Sequence, residues 1–152
     1  MSPNNPSGAI YSNQLLQKFF DLCKSNQIRL IIDETYKDFH PNASQPHTLL
    51  ENNNWDQVLT ILYSFSKTYR MTGHRIGALL TSKENLIEIE KALDTFTVCP
   101  PQLGQYAANW GLNNLEAWVA ERRTEILQRA KHFSEKFQPL SAAGWSLKGC
   151  GA

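Results

Sequence analysis

Three short apolar runs set the limits on what this chain can become. Residues 28–33, 58–64 and 76–81 are too brief for helices, and each is bounded by polar or turn residues. Runs of this kind suit strands covered on both faces, as in parallel sheets. Helical patterns flank them. Leu15, Leu16, Phe19, Phe20 and Cys23 recur at helical spacing behind a capping Ser12, and Leu86, Ile89 and Leu93 do so behind Ser82. The Pro100-Pro101 pair breaks the chain, and Pro101 is placed to open a short helix through Trp110. From Asn114 the clearest helix carries Leu115, Trp118, Val119, Ile126, Ala130, Phe133 and Phe137 on one face, and Pro139 is expected to stop it. Residues 144–152 resemble the start of a further strand. Helices alternating with strands are the α/β pattern. Residues 37–55, rich in Pro, Asn, Ser and His, form a long connection with no periodicity and no functional role assignable from sequence.

Composition removes several function classes. The 152 residues carry 15 Lys+Arg against 14 Asp+Glu, a formal net charge of +1, with 41% hydrophobic and 19% charged residues. That is apolar enough to fold and too evenly charged for a disordered tail. No block of like charge points to nucleic acid or an anionic membrane surface. The longest apolar runs fall far short of the ~18 residues a membrane span needs. The residues after Met1 are polar and turn-forming, so a secretory signal is not expected. Three scattered cysteines without a C-x-x-C pair argue against a disulfide framework and a zinc site, and favour a reducing, cytoplasmic setting. The four histidines lack the spacing of a metal site.

Four features carry chemistry. Asn5-Pro6-Ser7-Gly8 is a rigid turn near the beginning; Asp33-Glu34-Thr35-Tyr36 closes the first apolar run; Ser64-Phe65-Ser66-Lys67 closes the second; Arg75 leads into the third. Ligand sites of open α/β sheets gather at the carboxyl ends of parallel strands. If the runs are neighbouring strands, Asp33, Tyr36, Ser64 and Lys67 share one edge. A lysine there is a nucleophile for an aldehyde, forming a Schiff base. Arg75 with Ser64 and Ser66 makes a phosphate clamp. A carboxylate can keep a ring nitrogen protonated, and a phenol can bond a ring hydroxylate. Phosphate, aldehyde, pyridine nitrogen and phenolic oxygen together describe pyridoxal phosphate. Taken singly, each residue has an ordinary reading: a solvated lysine, a turn aspartate, a packing tyrosine, a surface arginine. Their order and spacing in one chain outweigh those readings.

These residues resemble the class I and II aminotransferases, pyridoxal-phosphate enzymes of fold type I. The likeness rests on Asn4-Asn5-Pro6-Ser7-Gly8, on Asp33-Glu34-Thr35-Tyr36, and on the lysine-attachment motif running from Ser64 through Lys67 and Arg75 to Gly77. The resemblance implies a three-layer α/β/α large domain with a mostly parallel sheet. It makes Lys67 the Schiff-base lysine and proton carrier, Asp33 the partner of the pyridinium nitrogen, and Tyr36 and Asn5 the partners of the phenolic oxygen. Ser64, Ser66 and Arg75 hold the phosphate, and Gly73 and Gly77 permit tight turns. Arg70 departs from the family pattern, which has a small or aliphatic residue there. The departure sets an extra cation near the cofactor mouth or the dimer partner, and pointing to solvent is its simplest role.

Family members are more than twice this length, so the resemblance implies a central-to-C-terminal fragment. On it, residues 1–112 are the second half of the cofactor-binding large domain, 113–137 a connecting helix, and 138–152 the start of a small C-terminal domain. It implies transfer of an amino group between an amino acid and a 2-oxo acid by a homodimer. The isolated chain is expected to bind cofactor weakly and turn over little, because positioning depends on segments it lacks. A decarboxylase, C–S lyase or oxoamine synthase of the same fold type, or a non-catalytic regulator domain, shares the same lysine and aspartate. Fold does not decide among them.

Overall fold

A computed structural model describes residues 1–42 and 45–147. In chain order the main elements are α1 (Asn13–Ser25), β1 (Leu30–Asp33), β2 (Leu59–Ser64), α2 (Phe65–Thr68), β3 (Gly77–Leu80), α3 (Lys83–Phe96), α4 (Gln102–Asn114) and α5 (Glu116–Ala142). Two of the helices begin where the sequence places their caps. The Ser12 hydroxyl accepts from the Leu15 N–H and the Ser82 hydroxyl from the Asn85 N–H, satisfying donors that a helix start otherwise leaves orphaned.

The three apolar runs form one sheet in the order β1-β2-β3. β1 and β2 are parallel, with Asp33 beside Leu62, whereas β3 runs antiparallel to β2, with Gly77 opposite Ser64. The last pairing departs from a purely parallel arrangement for a local reason. A parallel return needs a crossover spanning the strand's length, and the chain between β2 and β3 holds only the single turn α2 and a 3-10 turn at Thr72–His74.

The core lies on one face of the sheet. Leu16 and Phe20 of α1 meet Ile32, Leu59 and Ile61, with Leu49 and Val58 from the long connection completing the cluster. The other face is not covered as the apolar runs suggested: Ile31 is 59% exposed and Leu62 37%. Alternation puts Ile31 opposite the α1 face, where covering is partial: Thr60 and Thr81 on that side are buried and share a hydrogen bond of 2.8 Å. A second cluster joins Phe65, Met71 and Ile76 to Ala108 of α4. α4 approaches closely because Gly104 and Gly111 face it: a Cβ at Gly104 would lie 2.4 Å from Ile76 Cγ1, and one at Gly111 would lie 3.1 Å from the Tyr69 ring.

Three expectations need correction. Pro139 does not stop the last helix; α5 continues to Ala142. Proline's φ suits a helix, and the hydrogen bond it omits lies on an exposed stretch. α4 runs past Trp110 to Asn114 and meets α5 at Leu115 alone, whose N–H still bonds the Gly111 carbonyl. Residues 144–147 form no strand, and the remainder of that expected strand, 148–152, lies outside the described residues. The described parts of the long connection hold regular turns, with 3-10 turns at Lys37–Phe39 and Leu49–Glu51.

Replacing Gly104 by Val forces α4 away from Ile76. The substitution is expected to cost about 2 kcal/mol by overpacking, read as a lower midpoint in urea unfolding.

Candidate functional site

The site begins with strand register. Because β1 and β2 are parallel and Asp33 sits beside Leu62, Ser64 lies two residues further toward the same edge. Because β3 is antiparallel, its first residue, Gly77, starts opposite Ser64, and the Phe65 N–H to Ile76 carbonyl bond of 3.2 Å extends the ladder. Asp33, Ser64, Lys67 in α2, and Arg75 are thereby brought to one edge of the sheet. Added Cβ atoms explain only one of the two glycines. Gly77 passes so close to β2 that a Cβ would lie 2.9 Å from the Tyr63 carbonyl, while Gly73 faces open space. The left-handed turns of this segment fall instead on Arg70 (φ 55°) and Arg75 (φ 53°).

The opening segment joins the same edge. The Ser2 N–H donates to the Asp33 carbonyl at 3.0 Å, and the Gly8 N–H to the Asn4 carbonyl at 2.8 Å closes the turn. That turn presents Asn5, whose amide donates to Tyr36 Oη at 3.0 Å. Asn5 and Tyr36 line a hollow of about 360 Å³ with Pro3, Asn4, Pro6, Gly8, Phe39 and Ile126 of α5. Asp33, Ser64, Lys67 and Arg75 are not among the described residues lining it.

The individual side chains differ in what they offer. Asp33 is half-buried and its Oδ1 accepts from the Thr35 N–H at 2.9 Å, which fixes the carboxylate at the strand end. The Ser64 hydroxyl caps α2 by accepting from the Ser66 N–H at 3.2 Å. Ser66 is buried, and Lys67 is exposed. Arg75 turns its guanidinium onto the Thr72 carbonyl at 3.0 Å, within its own turn. Arg70 does not simply face solvent: its guanidinium carbon lies 5.6 Å from the centre of the Trp118 ring on α5, a cation–π contact. Taken together, the edge offers hydroxyl and cationic donors for an anion, a fixed carboxylate for a positive donor, and a free amine.

Two polar contacts between distant residues, one buried and one half-buried, arise from the segment between β1 and β2. Glu34 and His47 are buried and meet at 2.5 Å, with Lys37 Nζ 3.8 Å from the other Glu34 oxygen. The Leu49 N–H donates to His47 Nδ1, so Nε2 carries the hydrogen that Glu34 accepts. Asp38 Oδ2 accepts from Tyr63 Oη at 2.5 Å and from Thr68 Oγ1 at 2.9 Å. The Tyr63 hydroxyl is pushed far above the ordinary phenol range, first by burial and then by its bond to the Asp38 carboxylate. These partners lie 13 to 30 residues apart in sequence, beyond the reach of any local pattern.

Comparison with known proteins converges on one family. The profile described as "Aminotransferase class I and II" matches residues 1–149. An aromatic aminotransferase of Arabidopsis thaliana is 29% identical over 143 residues, covering 92% of this chain and 35% of that protein. A histidinol-phosphate aminotransferase of Staphylococcus saprophyticus is 30% identical over 142 residues, covering 91% of this chain and 39% of its own length. The crystal structure of an aromatic aminotransferase from Pyrococcus horikoshii superposes with a TM-score of 0.81 at 26% identity, covering 91% of this chain and 38% of that one. The chain therefore spans between a third and two fifths of the length of these relatives.

The elevated Tyr63 hydroxyl has a measurable consequence. Unfolded, it ionises near the usual phenol value of about 10; folded, it does not. The stability it contributes is complete below that pH and is lost as pH rises beyond it. Burial and the Asp38 charge raise Tyr69 as well, so absorbance titration of the phenolate band should show components ionising above the exposed tyrosines, and Tyr63→Phe should remove the higher one.

Proposed function

The chain belongs to the class I and II aminotransferase family, and from that membership we propose that the whole protein moves an amino group between an amino acid and a 2-oxo acid with pyridoxal phosphate as cofactor. One observation carries the reading. Lys67 is an exposed amine with no hydrogen-bond or ion-pair partner among the described residues, held at the sheet edge that also bears the Asp33 carboxylate.

The donor set fits the cofactor. Ser64, Ser66 and Arg75 suit its phosphate, since hydroxyls and a guanidinium donate to phosphate oxygens. Asp33, anchored by the Thr35 N–H, suits a protonated ring nitrogen. Asn5 and Tyr36, already bonded to each other, suit its phenolic oxygen. When bound, the cofactor supplies an electron sink for negative charge developing at the substrate's α-carbon. The chain's own part is to orient and to move protons. Lys67 Nζ takes the proton from the α-carbon and returns it on the other side of the exchange. Asp33 keeps its charge directed at the ring nitrogen, and Asn5 holds the Tyr36 hydroxyl in place.

The same proposal covers the setting of the reaction. Residues 1–112 belong to the cofactor-binding domain, 113–137 connect it to a smaller domain, and 138–152 begin that domain. The working unit is a homodimer, supported by the exposed apolar side chains Leu103, Tyr106 and Trp110 at helical spacing on α4. The compartment is cytoplasmic, supported by three scattered cysteines without a C-x-x-C pair.

Lys67→Ala in the whole protein tests the reading. With a panel of amino acids and 2-oxoglutarate, glutamate formation should fall by at least ~10³-fold, the scale of a lost proton carrier and nucleophile. Exchange at an undiminished rate would falsify the proposal.

A further inference from the structure

We propose that Asp38 is a positioning residue whose carboxylate, by accepting from Tyr63 and Thr68 together, holds the lysine turn against the end of β2. The inference rests on the role given to Lys67 above and extends it to a residue no sequence motif includes.

The geometry is a bracket. Tyr63 immediately precedes Ser64, Thr68 immediately follows Lys67, and both hydroxyls converge on the same oxygen, Asp38 Oδ2, at 2.5 and 2.9 Å. Everything between them, which includes Ser64, Ser66 and Lys67, is spanned by one acceptor. Asp38 itself belongs to the 3-10 turn Lys37–Phe39 that begins directly after Tyr36. A single carboxylate therefore ties the segment carrying Asp33 and Tyr36 to the segment carrying Lys67.

Burial and charge indicate that this contact is built. Thr68 is only 2% exposed, and a buried hydroxyl requires a partner. Asp38 forms no ion pair among the described residues; hydroxyl donors surround it instead. Lys37 Nζ lies 5.1 Å from the centre of the Tyr63 ring rather than on the carboxylate. A salt bridge would satisfy the charge in many orientations. Two hydroxyls from opposite sides of the lysine turn satisfy it in one. Tyr63 is also held from behind, packed edge-on against Phe65 with ring centres 5.1 Å apart.

Thr68→Val removes one arm of the bracket with little change in shape, and Thr68→Ser keeps it. In the cofactor-loaded whole protein, Thr68→Val should lower kcat about 30-fold, the scale of a misplaced catalytic group, and leave KM within about twofold. Thr68→Ser should restore kcat to within about threefold. In the cofactor-free whole protein, deuterium exchange at amides 65–70 should quicken about tenfold in Thr68→Val while α1 and β1 keep their protection. Tyr63→Phe cuts the other arm and should reproduce both effects if the valine variant does not fold. Unchanged kcat or unchanged exchange overturns the proposal, as does exchange that quickens equally everywhere. The exchange measurement needs no turnover. An active Lys67→Ala therefore overturns the function, whereas unaltered exchange in Thr68→Val overturns the bracket.

Discussion

The parallel pairing of β1 with β2 is the contact on which the remaining geometry depends. Its hydrogen bonds run from Leu30 N–H to the Val58 carbonyl and from Glu34 N–H to the Leu62 carbonyl, both at 2.8 Å. The register they set is enforced by burial, since Ile32, Leu59 and Ile61 fill the face that α1 covers. A slip of β1 by one residue would turn Ile32 outward and Asp33 inward. With the observed register, Asp33 sits beside Leu62 on the face away from α1, and Ser64 shares that face two residues on. The core thus aligns the polar edge without touching it.

The turn between β2 and β3 converts that alignment into a local cluster. Reversal of direction within α2 and the Thr72–His74 turn returns Arg75 to the strand end it left. A longer crossover would have carried Arg75 to the opposite edge. The cost of the tight reversal is two non-glycine residues in the left-handed region, Arg70 and Arg75. Each is an arginine with a polar or aromatic anchor: Arg75 on the Thr72 carbonyl and Arg70 above Trp118.

The connection between β1 and β2 has a larger part than a spacer. His47 reaches back to Glu34, next to Asp33, and Asp38 reaches forward to Tyr63 and Thr68 on either side of the lysine turn. Both acceptors are carboxylates adjoining the site rather than members of it. Glu34 is buried and Asp38 half-buried, and each is paired; leaving either carboxylate without its partners would be costly, so both hold their segments in one arrangement. The same connection supplies Leu49 and Val58 to the core.

Residues close in sequence were legible before any coordinates. The caps Ser12 and Ser82, the three apolar runs, and the order of Asn5, Asp33, Tyr36, Ser64, Lys67 and Arg75 follow from local chemistry, which spacing and residue type record directly. Lys67 and Asp33 were legible as neighbours at one sheet edge because the ends of adjacent strands converge. What was not legible depended on partners far along the chain. Nothing near Asp38 marks it as the acceptor for hydroxyls 25 and 30 residues away. Pro139 was misread because the rule that ends helices at proline assumes that the lost hydrogen bond matters, and on an exposed face the helix continues. Sequence by itself determined which residues could do chemistry and in which order they arrive. Tertiary structure alone decided how far the second sheet face is covered and which carboxylates hold the lysine turn, because those depend on which distant groups remain to pair with polar atoms once the core has packed.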